Sequence, residues 1–339
     1  MTALEKIIIE MIEAEGPMPL DRYMSLCLGH PQHGYYMTRD PFGAAGDFTT
    51  APEISQVFGE MIGVWCVNAW MSLGQPSPFA LVEMGPGRGT LMADLLRAAK
   101  AAPEFLKAVE VHFVEMSPVL QKLQREKLDA HVSWHASLDS LPNMLTLFVA
   151  NEFFDALPVQ QFEMRSGQGF ERYVGVSNGQ LKMGLVASSW QGEADGIYEV
   201  SQVSQNIAAE MKERIEACGG AALITDYGHV QSAAGDTVQA MHRHKYCSIL
   251  EAPGEVDITS HVDFSKLSHS PTLSQGAFLK AMGIVMRTEK LAEKLNGEEK
   301  KNFLAATHRL IDAAQMGELF KVMCVVQKGA TQIYPFEAT

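Results

Sequence analysis

The sequence is poor in the features that mark secreted, membrane and nucleic-acid-binding chains. It has five cysteines in 339 residues, Cys27, Cys66, Cys218, Cys247 and Cys324. They are odd in number and none stands in a CxxC pair, which excludes a disulfide framework and a zinc site and fits a reducing compartment. No run is long and apolar enough to span a bilayer, so membrane insertion is not expected. The opening stretch MTALEKIIIEMIEAEG lacks the basic start and apolar segment of a signal peptide. A soluble, cytoplasmic protein is the expectation. Positive charge is scarce, with 27 Lys and Arg against 40 Asp and Glu and a formal net charge of −13. A chain that neutralises phosphates needs the opposite balance, so no nucleic-acid partner is expected. Internal repeats and low-complexity segments are absent too. What is present is apolar: 47% of the residues are hydrophobic, enough for a substantial core.

Along the chain, Leu4, Ile7, Ile8, Met11 and Ile12 recur at helical spacing until Gly16-Pro17. Asp21 is placed to cap a second short helix through Met24 and Leu28. A loop rich in Gly, Pro and His follows from Gly29 to Phe48, and a helix after Pro52 carries Val57, Met61, Val64 and Trp65 on one face. Residues 1–75 therefore read as a helical, loop-rich cap over a cofactor site, and 76–339 as the main domain. PFALVEMGPGRGTLMADLLRAA reads as strand, glycine turn and helix, and EVHFVEMSPVLQKLQREKL as a second strand and helix. HVSWHASL is a third strand, LTLFVANEFFDALP a fourth, GGAALITDYG a fifth, and LFKVMCVVQKG the last. Strands alternating with helices imply an α/β fold with a parallel, doubly wound, Rossmann-like sheet. Between the fourth and fifth strands, residues from about 159 to 200 change to period two around Ser-Gly-Gln-Gly and Ser-Asn-Gly-Gln. That pattern predicts an inserted antiparallel meander.

Glu83-Met-Gly-Pro-Gly-Arg-Gly-Thr90 lies between a buried strand and a helix. Gly85 and Gly87 tolerate positive φ and leave room for a ligand against the backbone, and the following helix presents free N–H groups. A dinucleotide enzyme uses such a turn for pyrophosphate. Here the spacing is GxGxG, and Glu83 would repel a pyrophosphate while serving a cationic amino-acid group. Both details favour S-adenosyl-L-methionine as the cofactor. Glu115 ends the second strand, where a carboxylate accepts ribose hydroxyls. Ser137 and Leu138 follow the third strand, where the adenine edge is expected. Thr49, in the loop GDFTTAPEIS, is placed with the cofactor as part of a lid. In NEFFDALP, Asn151 joins the cofactor site, and Glu152 and Asp155 are candidates to hold a guanidinium through paired hydrogen bonds. Capping by Asn151 and dipole compensation by the two acids explain the same residues as well. Asp226, at the tip of the fifth strand, is a third acceptor-site candidate. His30 and His33 have no acidic or cysteine partner at ligand spacing, and His229, His242, His244 and His261 are scattered, so no metal is expected.

The stretches HPQHGYY, GDFTTAPEISQVFGE, VEMGPGRGTL, HFVEMSP, NEFFDALPVQQF, DYGH, PGEVDITSHVDF and MGELFKV together resemble the MidA-like family. That family includes the mitochondrial arginine methyltransferase that acts as an assembly factor for respiratory complex I, and its bacterial relatives. The resemblance runs from near residue 30 to near residue 325. It implies a class I methyltransferase fold, S-adenosyl-L-methionine as cofactor and methyl transfer to an arginine of a protein partner. In the mitochondrial branch that partner is a complex I subunit. The competing readings are a small-molecule N- or O-methyltransferase on the same core, a nicotinamide-dependent oxidoreductase, which Glu83 and GxGxG disfavour, and a non-catalytic assembly chaperone that keeps the pocket.

Overall fold

Phe79–Met84 (β1) has no polar face to offer water: all six of its residues are buried. A strand buried on both sides belongs in the middle of a parallel sheet covered by helices, and the computed structural model, which describes residues 1–40, 49–242 and 245–336, puts it there. Six further strands of this sheet lie in the same compact unit as β1: Val109–Val114 (β2), Val132–His135 (β3), Thr146–Asn151 (β4), Gly220–His229 (β5), Thr272–Ser274 (β6) and Phe320–Val326 (β7). They lie in the order β3-β2-β1-β4-β5-β7-β6. Pairs among the first five are parallel, and β7 runs antiparallel to both neighbours. The chain therefore builds outward from β1 to β3, returns, and builds the other half from β4. The expected doubly wound α/β core is present.

The chain divides into two units, and the sheet belongs to the larger, made of residues 49–153, 208–230 and 268–339. The division does not follow the boundary near residue 75 expected from the sequence. Residues 49–75 sit in the larger unit because helix Gln56–Ser72 is apolar on almost every side: Phe58, Met61, Ile62, Trp65 and Cys66 all join the core under the sheet. Ser55 caps this helix by accepting from the Val57 N–H, and Val64, expected on the buried face, is 43% exposed. Gly59 and Gly63 let the helix approach Thr90–Ala98 closely. A Cβ on Gly63 would lie 2.8 Å from the Leu95 carbonyl oxygen.

The smaller unit takes residues 1–48, 154–207 and 231–267. The inserted meander is there. Gln160–Arg165, Gln168–Ser177 and Gln180–Ser188 pair antiparallel in succession, and Gly196–Val200 returns beside the first of them. The two hairpin turns use Ser166-Gly167 and Asn178-Gly179, all four at positive φ, as a two-residue turn matching strand twist requires. Helix Ala3–Glu15 buries Leu4, Ile8 and Ile12 against this unit's core. Asp21 does not cap the next helix. Leu20–Gly29 starts one residue before it, with Pro19 at the cap, so Asp21 acts on the first-turn dipole instead.

The packing of Gly63 against a backbone carbonyl yields a test. Gly63→Val should destabilise the protein by about 1–3 kcal/mol, the cost of overpacking a tight contact. Val64→Ala, one residue away but exposed, should stay within about 0.5 kcal/mol. Denaturant unfolding of both variants checks the pair; equal effects would refute the close-approach account.

Candidate active site

In an open parallel sheet a ligand sits beyond the carboxyl ends of the strands, where the strand order reverses. Here the reversal falls between β1 and β4, and the residues singled out in the sequence gather at those ends. Glu83 is the penultimate residue of β1 and is 3% exposed. Its Oε2 has no hydrogen-bond partner among the described residues. Burial, and then repulsion from Glu115, hold its carboxyl well above the usual carboxylate range. Such a group is costly unless a donor or cation meets it. Met84 pairs with Ala150, and one step on in β4 the Oδ1 of Asn151 is likewise buried with no partner among the described residues.

The glycine turn follows β1. Gly85, Gly87 and Gly89 have φ of 60°, 54° and 77°, which an L side chain adopts only with strain. Gly89 occupies the cap of helix Thr90–Ala98 and has no side chain to accept from its first N–H groups. At Gly85 a Cβ would meet the Phe153 ring at 2.8 Å. The turn is tied down from outside. Thr90 Oγ1 donates to Glu53 Oε1 at 2.5 Å, Lys127 Nζ donates to Thr90 at 2.6 Å, and Arg88 lies 3.8 Å from Glu53.

Glu115 follows β2 and is nearly buried. Its Oε1 accepts the Ser117 N–H at 2.7 Å and its Oε2 accepts from Gln124 Nε2 at 3.3 Å. Burial raises its pKa, and those two hydrogen bonds act the other way. Ser137 is exposed and donates to Asp139, while Leu138 is buried and its carbonyl accepts from Arg214. Thr49 is half-buried; Gly46, Asp47 and Phe48 of the same motif, and His244, lie outside the described residues.

Glu152 has φ of 48°, the left-handed region, outside glycine. A non-glycine residue held there stores strain that surrounding contacts must support. Its N–H donates to the Thr225 carbonyl at 2.9 Å, and its Oε1 accepts the Ala51 N–H at 2.9 Å. Asp226 is fully buried in β5, and its Oδ1 accepts the Tyr227 N–H. The larger unit thus brings together Glu83, Gly85, Gly87, Glu115, Asn151 and Glu152. Asp155 falls in the smaller unit, buried, with its carbonyl accepting from Ser260. Among the described residues, no group of three or more His, Cys, Asp or Glu is placed to hold a metal ion.

The sequence reading passed over Glu53 and Gln124. Gln124 had a faint signal: with Leu120 it forms the buried face of helix Pro118–Lys127, a polar residue where the helical period calls for an apolar one.

Comparison with known proteins agrees with this geometry. Residues 61–282 match a family model described as "Putative S-adenosyl-L-methionine-dependent methyltransferase". A Drosophila melanogaster relative, the mitochondrial protein arginine methyltransferase NDUFAF7 homolog, is 36% identical across 95% of this chain and 84% of its own. The human mitochondrial protein arginine methyltransferase NDUFAF7 is 33% identical across 99% and 88%. A crystal structure from Burkholderia thailandensis with S-adenosyl-homocysteine bound superposes with a TM-score of 0.82 at 27% identity, covering 98% of this chain and 93% of that one. These relatives also correct one expectation. Both curated relatives are named as mitochondrial, so the cytoplasmic location inferred from composition and cysteine usage does not stand, because those features report a reducing environment and not a compartment. S-adenosyl-L-methionine is the cofactor, and the chain belongs to this family of S-adenosyl-L-methionine-dependent methyltransferases.

Proposed function

We propose that the chain methylates an arginine guanidinium of a protein. The observation that carries this reading is the likeness, at 33–36% identity over nearly the whole length, to protein arginine methyltransferases. A subunit of respiratory complex I is the first partner to test, following the mitochondrial branch of the family that the sequence motifs resemble. The excess of acid over base suits a cationic acceptor.

The buried acceptors fit the cofactor's chemistry. Glu83 and Asn151, each with an oxygen unpartnered among the described residues, supply what an ammonium group needs, and the glycine turn from Gly85 to Gly87 follows Glu83 directly with both glycines at positive φ. Glu115 keeps lone pairs for ribose hydroxyls; Ser137, Leu138 and Thr49 complete the proposed cofactor contacts. The bound cofactor supplies an electrophilic methyl on a sulfonium. The protein's part is to bind and orient the acceptor. Glu152 and Asp226 are the carboxylates of the larger unit offered to the guanidinium, and Asp155, three residues beyond Glu152, is the third. A carboxylate in this role localises the guanidinium charge and takes the proton that the methylated nitrogen loses. Exclusion of water and fixed orientation lower the barrier further.

Labelled methyl transfer from S-adenosyl-L-methionine, assayed on lysate from cells lacking this protein, should mark a protein band whose peptides carry methylarginine. Label confined to small molecules would overturn the reading. Glu152→Gln keeps the oxygen that accepts the Ala51 N–H, so stability should change by less than about 1 kcal/mol. Cofactor affinity should hold while transfer falls by about two orders of magnitude or more. Full activity would remove Glu152 from the acceptor site.

Glu83 gives a pH signature. Its raised pKa means that the cofactor-free fold is most stable with the carboxyl protonated. That stability is lost as pH rises from the usual value of 4.5 towards the folded value. Glu83→Gln should therefore stabilise the cofactor-free protein at neutral pH by about 1–3 kcal/mol, with the gap closing as pH falls, while affinity for S-adenosyl-homocysteine drops. Melting curves from pH 4.5 to 8, with and without that ligand, check both arms; a destabilised, normally binding variant would contradict the assignment.

A further inference from the structure

Gln124 makes more hydrogen bonds between separate elements than any sequence signal at this position would require. It is wholly buried. Its Nε2 donates to the Gly87 carbonyl at 2.7 Å and to Glu115 Oε2 at 3.3 Å, and its Oε1 accepts from Trp134 Nε1 at 2.8 Å. The indole N–H is a donor only, and a carbonyl and a carboxylate are acceptors only. The amide therefore has a single satisfied orientation. Flipped, it would set its oxygen against two acceptors and its NH2 against a donor. Asn is too short to span the three partners, Lys has no acceptor, and an ionised Glu has no donor.

The three partners come from three places that the strand-end site draws on: the glycine turn after β1, the carboxylate after β2, and β3. The same helix adds a second tie, since Gln121 Nε2 donates to the Glu115 carbonyl at 2.9 Å. The Glu115 N–H in turn donates to the His135 carbonyl at 2.9 Å. Ser117 holds one carboxylate oxygen of Glu115 and Gln124 the other, so the plane of the carboxylate is set from both sides before any ligand arrives.

We propose that Gln124 is a positioning residue for the cofactor: it locks the glycine turn and the Glu115 carboxylate into one unit and keeps that carboxylate aimed at the ribose. This rests on the reading of Glu115 as the ribose acceptor. The consequence is a change in pH dependence as well as in affinity. Removing the donor raises the pKa of the carboxylate it served, so cofactor binding should weaken on the acid side and recover only at higher pH than in the native protein. A side chain that merely filled space would lower affinity evenly across pH.

The test is calorimetric titration of S-adenosyl-homocysteine into the full chain and into Gln124→Met, Trp134→Phe and Glu115→Gln, from pH 5.5 to 8. Gln124→Met keeps the volume and loses both donors. Its affinity should fall about tenfold to a hundredfold at the acid end, the range of a lost hydrogen bond to a charged group, with a smaller loss at pH 8. Trp134→Phe leaves Gln124 in place but removes the bond that prevents the flip, and should show the same trend with a smaller loss. It carries the test alone if Gln124→Met does not fold. Glu115→Gln should bind weakly at every pH. If it binds normally, the ribose reading fails and the role of Gln124 falls with it. If it binds weakly while the foldable Gln124 and Trp134 variants keep native affinity and a native pH profile, Gln124 is structural and only the present inference is overturned.

Discussion

A buried carboxylate with an oxygen that no group among the described residues satisfies is the constraint around which the larger unit is arranged. Glu83 lies inside a sheet strand at 3% exposure, with Glu115 near enough to repel it. Ionising such a group without a partner costs several kcal/mol, and natural cores seldom keep one without a use. Asn151, one residue beyond the pair that joins β4 to β1, presents a second orphan acceptor. The fold tolerates both because the parallel sheet around them is heavily packed. Phe79, Leu81, Leu147, Val149, Leu223 and Val322 are all buried in one core with helix Gln56–Ser72. Stability drawn from that core offsets a site left unsatisfied until a ligand arrives.

Rigidity at the strand ends has its own sources. The glycine turn needs three residues at positive φ, which is intrinsically floppy sequence. The structure compensates by tying it to neighbours: Gly87 to Gln124, Thr90 to Glu53 and Lys127, and Gly85 N to the Val114 carbonyl. Glu152, strained at positive φ, is held through Thr225 and Ala51 in the same way. Flexible or strained backbone where a ligand must approach closely, fastened by polar side chains from adjacent helices, is the common theme. The smaller unit is built differently. Its meander is set by two positive-φ hairpin turns, and its helices bury one apolar stripe each.

Much of the core was legible because its signals are local. Phe79 to Val82, apolar throughout, followed by Glu83, Met84 and GPGRG, can only be a buried strand entering a tight turn, and the Ser-Asn-Gly-Gln turn with period two on both sides can only be a hairpin. That Glu115 and Asn151 stand at strand ends was legible from the buried strands that precede them, and the ends of such strands are where ligands bind in an open α/β sheet. Val64 and Asp21 were misread because helical period tolerates a shift of one residue, and which side chain turns inward is decided by the neighbour it meets. The boundary near residue 75 was misplaced for the same reason: chain order does not say which core a helix joins.

The sequence by itself determined the strand and helix pattern, the inserted meander, the glycine turn and the acids at the ends of β1, β2 and β4, since each depends on residues a few positions apart. Only the tertiary structure decided that Glu83 Oε2 and Asn151 Oδ1 are buried without a partner among the described residues, and that Glu152 is strained. It also joined Gln124, Trp134, Gly87 and Glu115 through one amide, and divided the chain into units that interleave three times along it. Those facts depend on partners far apart in the chain: Ala51 and Glu152 are 101 residues apart. Burial and hydrogen-bond satisfaction are properties of what surrounds a group, and no local pattern records them.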